Sequence, residues 1–106
     1  MKPALVIVMF ALLALFGATI AFSPSGTPNN GENVYAMQRC ALCHSIAGVG
    51  GKRMALDGVG SRLKPDEIEK WIRTPRKMKA DTTMKPYPNL PRKSLDDLIA
   101  YLMTLR

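Results

Sequence analysis

A chain of 106 residues has room for one domain once any targeting segment is set aside. With 15 Lys+Arg against 8 Asp+Glu it is basic, and no long single-sign run or acidic tail appears. Only two cysteines are present, so if one site uses both, no disulfide framework remains, and so small a domain usually needs a staple or a cofactor.

Residues 1–22, MKPALVIVMFALLALFGATIAF, open with Lys2 and run apolar over 4–22. Such a segment is a signal peptide or an N-terminal membrane anchor. As a helix the apolar run would reach roughly 28 Å, close to a bilayer's hydrocarbon thickness. Gly17 and the small residues Thr19 and Ala21 favour cleavage, while the length of the run favours retention. Either way the remainder is exported. It is expected in the periplasm, soluble or held at the periplasmic face of the cytoplasmic membrane through residues 4–22. Export also argues against nucleic acid as a partner. Residues 23–30 are rich in Ser, Pro and Asn and read as a flexible linker. The globular part is then 31–106.

A first helix is expected over 32–43, entered from Asn30-Gly31, where either residue can cap. Val34, Met37 and Ala41 fall at helical spacing beside Tyr35. At its end stands RCALCHS, 39–45, which holds both cysteines and the single histidine. Three chemistries use such a string. A redox Cys-x-x-Cys opens a helix after a strand, whereas this one closes a helix with no strand before it. A structural zinc site needs four ligands, and Cys40, Cys43 and His44 are only three. Covalent haem uses every residue. Cys40 and Cys43 share one helical face, so their sulfurs can add to two vinyl groups, which leaves His44 beneath the ring to bind iron.

The segment 45–63 carries five glycines and reads as loop. A second helix begins at Pro65, with Asp66 and Glu67 in its first turn and Ile68, Trp71 and Ile72 as its apolar stripe. It stops at Thr74 because the residue before Pro75 disfavours helix. In the last helix, Ser94-Leu95-Asp96-Asp97 resembles a capping box, and Leu95, Leu98, Ile99 and Leu102 recur at i, i+3, i+4 and i+7. No strand pattern is convincing, so the expected fold class is all-α, with three main helices and long loops.

CALCHSIAG, LDGVG (56–60) and MKPYP (84–88) ahead of LDDLIAYLMTL resemble the small class I monohaem c-type cytochromes. The resemblance covers 31–106. It implies a small helical fold wrapped around one covalently bound haem c, with the terminal helices crossing near the attachment site. It also implies a sixth iron ligand from a methionine of the late loop, and electron transfer rather than catalysis. Among Met37, Met54, Met78, Met84 and Met103, Met84 matches the family position, with Met78 second. Met54 or no protein ligand comes after these. Cofactor-binding residues are thus Cys40, Cys43, His44 and Met84, with His44 and Met84 on the metal. Tyr35 stands one residue further from the first cysteine than the family's aromatic, which rotates it by about 100° around a helix. Members of that family often carry, shortly before the loop leucine, a proline whose carbonyl accepts the histidine's other N–H; the matching place ahead of Leu56 is Met54, which still offers a carbonyl.

Trp71 is either a core tryptophan or a donor to a haem propionate. Tyr87 is expected to cover the ring, Tyr101 to be structural, and Leu56, Leu90, Leu98 and Leu102 to line an apolar pocket. Arg73, Arg76, Lys77, Lys79, Lys85, Arg92 and Lys93 form a basic surround to the methionine loop, suited to redox protein partners with an acidic docking surface. The chain is expected to be an electron carrier or the electron-transfer subunit of a membrane or respiratory redox complex. The alternative is a haem-based sensor or catalyst with an open or displaceable sixth position.

Overall fold

Pro28 has a fixed φ and no N–H to leave unpaired, and it opens the first helix, α1 (Pro28–Met37), in the computed structural model, which describes residues 25–106. The residue ahead, Thr27, is extended and gives its N–H to Asp97 Oδ1 at 2.8 Å. α1 therefore starts earlier than the expected 32–43 and also ends earlier. Arg39 takes a left-handed conformation (φ 57°), which stops the helix and turns the chain into a short 3-10 turn over Cys40–Leu42. Gly31 is no cap. It lies within α1, where a Cβ would collide with the Asp97 carbonyl and the Tyr101 side chain. Its lack of a side chain lets α1 press onto the last helix, the most extensive contact between elements. The expected apolar spacing misled at two positions: Met37 is 77% exposed, and Ala41 is exposed in the turn beyond the helix.

The fold is not all-α. Three short strands form a mixed sheet in the order β2-β1-β3: β1 (His44–Ile46), β2 (Val49–Gly50) and β3 (Met54–Ala55). β1 pairs antiparallel with β2 through Ser45–Gly50 and Ile46–Val49, and parallel with β3 through His44–Met54 and Ser45–Ala55. Ala47 and Gly48 join β1 to β2 with positive φ at both positions (51° and 79°), as the tightest hairpin turns require. Strands of two or three residues are too short to show alternation, and the glycines in and around them read as loop, so sequence reasoning passed over them.

One turn of helix follows, α2 (Val59–Arg62), and then α3 (Pro65–Arg73), which matches the expected start at Pro65 and stop before Pro75. The Lys64 N–H donates to Glu67 Oε1 at 3.0 Å, and this closes the first turn. A second single turn, α4 (Pro75–Met78), leads into an irregular stretch up to α5 (Arg92–Met103). α5 starts ahead of the expected Ser94 box. The extended Pro91 precedes it, and the Pro91 carbonyl takes the Leu95 N–H at 2.9 Å. Leu95, Leu98, Ile99 and Leu102 are all buried, as their spacing predicts. With Leu56, Val59, Ile68, Ile72 and Leu90 they make the core. Arg92 bridges α5 to α3 through a two-pronged bond to Glu69 at 2.8 and 3.0 Å.

The apolar segment 1–22, with the signal or anchor helix expected there, lies outside the described residues. Among the described residues no helix is long and apolar enough to cross a membrane.

Candidate functional site

A cavity of about 550 Å³ opens between the cysteine segment and the stretch that follows α4. Leu56, Val59, Leu63, Ile68, Ile72, Leu98 and Leu102 supply its apolar lining from β3 onward through α2, α3 and α5. Cys40, Cys43 and His44 line it from the 3-10 turn and the start of β1, and Met84 and Tyr87 line it from the irregular stretch. The expected residues are therefore brought together. Leu90 is the exception, since it is buried in the core without reaching the cavity.

The sheet orients the histidine. The Cys43 carbonyl accepts the N–H groups of Arg53 (3.0 Å) and Met54 (3.3 Å), which draws β3 alongside β1. In that register Met54 pairs with His44, and the Met54 carbonyl lies 3.1 Å from His44 Nδ1. A carbonyl can only accept, so Nδ1 carries the proton and Nε2 keeps its lone pair for a metal. The carbonyl expected at Met54 is thus in place to accept the histidine's N–H.

The two thiols differ. Cys43 is exposed, while Cys40 is half-buried, and burial pushes its thiol up from the ordinary value. Among the five methionines considered, only Met54 and Met84 line the cavity. Met37 is exposed, and Met103 packs against the core. Met54 is 50% exposed on the strand paired with His44, whereas Met84 is half-buried and packs on the core. Trp71 lines the cavity from α3. Tyr87 does so as well and gives its hydroxyl to the Gln38 carbonyl at 3.3 Å. Tyr35 remains on the cavity side despite its offset. Its ring lies 5.8 Å from that of Tyr101, and its hydroxyl is buried without a partner. Burial above all, then nearby Cys40, pushes that hydroxyl up to about 12.

Sequence reasoning missed part of the lining: Arg39, Arg53, Arg62, Thr82 and Thr83. With Lys79 and Lys85, the lining holds five cationic side chains and, among the described residues, no carboxylate. An apolar interior with two thiols, one oriented imidazole and a surplus of cations suits a flat apolar ring that bears vinyl groups, a central metal and acidic side chains. Haem has that chemistry.

Residues 26–102 match the model of a family described as cytochrome c oxidase, cbb3-type, subunit III. The chain is also 30% identical to cytochrome c oxidase subunit 2 of Alkalihalophilus pseudofirmus, over 74% of its own length and 25% of that relative's. It spans about a quarter of the relative it matches. With the match running across nearly all of the described residues and through the whole cavity, the chain belongs to the cbb3-type cytochrome c family and is a c-type cytochrome that binds haem c covalently, with iron.

Proposed function

We propose that this chain passes single electrons as a monohaem cytochrome, with haem joined by thioethers to Cys40 and Cys43 and its iron held by His44 and Met84. The observation that carries the ligand set is the methionine census of the cavity. Met54 is committed to β3, the strand paired with the histidine's, so Met84 is the half-buried thioether left to face the iron. Bound haem supplies a one-electron ferrous/ferric couple. The chain's residues do the rest. The Met54 carbonyl fixes the imidazole and makes it a better donor. Leu56, Leu98 and Leu102 keep water away, and Tyr87 closes the site from the irregular stretch. Iron held by both His44 and Met84 would change no ligand on electron transfer.

In this reading the domain is exported behind residues 1–22 and serves as a carrier or a non-catalytic subunit that feeds an oxidase. The family description and the relative's name support the second form. Of the expected basic surface, Arg92 and Lys93 are taken up by Glu69, Asp96 and Asp97, and Arg73 by Glu69 and the Pro88 carbonyl. Arg76, Lys77, Lys79 and Lys85 are exposed without a carboxylate partner among the described residues, and these would meet an acidic redox partner. The test is the spectrum of the holoprotein. Oxidised wild type is expected to show the weak far-red sulfur-to-iron band. Met84→Ala should lose it, lower the reduction potential and admit carbon monoxide. Ready binding of carbon monoxide by the wild type would instead favour a sensor or catalyst with an open sixth position.

A further inference from the structure

We propose that Arg53 is a positioning residue that latches the Met84 segment to the histidine strap and so holds the methionine on the iron; this rests on the reading of Met84 as a ligand. Arg53 is anchored on the histidine side. Its backbone N–H donates to the Cys43 carbonyl at 3.0 Å, and the next residue, Met54, supplies the carbonyl that His44 Nδ1 meets. Its side chain reaches thirty residues along the chain, where Nη1 donates to Thr83 Oγ1 at 3.0 Å. Thr83 directly precedes Met84, and Thr82 Oγ1 accepts the Met84 N–H at 3.2 Å. One side chain thus spans from the residues that orient the imidazole to the residues that orient the thioether.

The bond matters because of what the segment lacks. Between α4 and α5 the chain has no helix or strand. Beyond Met84 it is tied by the Tyr87 N–H to the Ile72 carbonyl at 2.8 Å, by Arg73 to the Pro88 carbonyl at 2.7 Å, and by the Tyr87 hydroxyl to the Gln38 carbonyl. Ahead of Met84, over residues 79–83, the hydrogen bonds are local, except that from Arg53. Among the described residues, Arg53 therefore makes the single long-range hydrogen bond to that side of the ligand. A segment fixed at one point opens as often as that point lets go. A methionine thioether is a weak ligand that such opening displaces readily.

The test uses the holoprotein with Arg53→Leu, Thr83→Val and the double variant. The Thr83 change removes the acceptor at nearly constant shape and leaves all charge in place. Carbon monoxide binding to reduced protein reads how often the methionine leaves. Each single variant should bind about fivefold faster than wild type, the factor expected from losing one solvent-exposed side-chain hydrogen bond of ordinary strength. The double variant should be no faster than either single, because both remove the same bond. Thr83→Ser should restore the wild-type rate. Multiplying effects in the double variant would overturn the latch. So would faster binding in Arg53→Leu with wild-type behaviour in Thr83→Val, since Arg53 would then act through its charge alone. Met84→Ala separates the two readings. If it keeps the far-red band, the ligand assignment fails and the latch with it. If it loses the band while both latch variants bind at the wild-type rate, only the latch fails.

Discussion

Asp97 is a carboxylate with 4% of its surface exposed, set among the apolar residues of α5. It is tolerated because it is fully engaged: it takes the Thr27 N–H at 2.8 Å and Lys93 Nζ at 3.2 Å. The Thr27 N–H above all, and then Lys93, hold its carboxyl below the usual carboxylate range against the opposing effect of burial. A carboxyl depressed on folding contributes stability that is complete above its unfolded value of about 3.9 and is lost as pH falls through the folded value. Asp97→Asn should therefore be less stable than wild type at neutral pH, and the gap should close as pH drops below about 3.9 in guanidinium unfolding of the holoprotein. Tyr35 offers the contrasting case of a hydroxyl buried without a protein partner. Tyr35→Phe should change stability by less than about 1 kcal/mol, because the Tyr101 contact is kept and no protein hydrogen bond is lost. Tyr35→Ala should cost roughly 3–5 kcal/mol through the space left beside the core. The same unfolding experiment measures both.

Among the elements, the crossing of α1 on α5 depends on the absence of a side chain at Gly31. The added Cβ of Gly31→Ala would meet the backbone of Asp97 and the Cβ of Tyr101, neither of which can swing aside. The two helices must part, at a cost of roughly 1–3 kcal/mol. The expected outcome is a lower thermal midpoint with the haem spectrum retained. The helices that were legible beforehand, α3 and α5, carry proline at a boundary and apolar residues at a full 3.6 period. The ends of α1 were not legible, because Arg39 in a left-handed turn leaves no mark on composition and Gly31 serves a contact that only the fold creates. The sheet escaped notice for a similar reason. Its pairing answers to hydrogen bonds made by Cys43 and Ser45 carbonyls, and backbone bonds are blind to residue type.

Across the whole molecule, charge is divided between pairing and display. The chain carries a formal net charge of +7, and Arg92 and Lys93 are spent on holding α5 while Lys77, Lys79 and Lys85 remain free of carboxylates among the described residues. If those lysines steer an acidic partner, Lys77→Glu and Lys85→Glu should slow electron transfer at low ionic strength. The variant and wild-type rates should converge as salt shortens the Debye length to about 3 Å near 1 M. Stopped-flow reduction at a series of salt concentrations reads this directly. The site was legible to the same degree as it was local. Cys40, Cys43 and His44 stand within five consecutive residues, and Met84, proposed as the second ligand, was suggested by a resemblance and its neighbouring prolines. Arg53 and Thr83 meet only because the chain folds back, so no spacing in the sequence announces them.

The acceptor that orients His44 belongs to the main chain. Every one of the twenty amino acids presents the same oxygen there, so point substitutions at position 54 cannot delete it, and only a change that dislodges the strand can. The alignment of His44 is thereby placed beyond the reach of most mutations at that position. The side chain at position 54, half open to solvent, is relieved of the task of orienting His44.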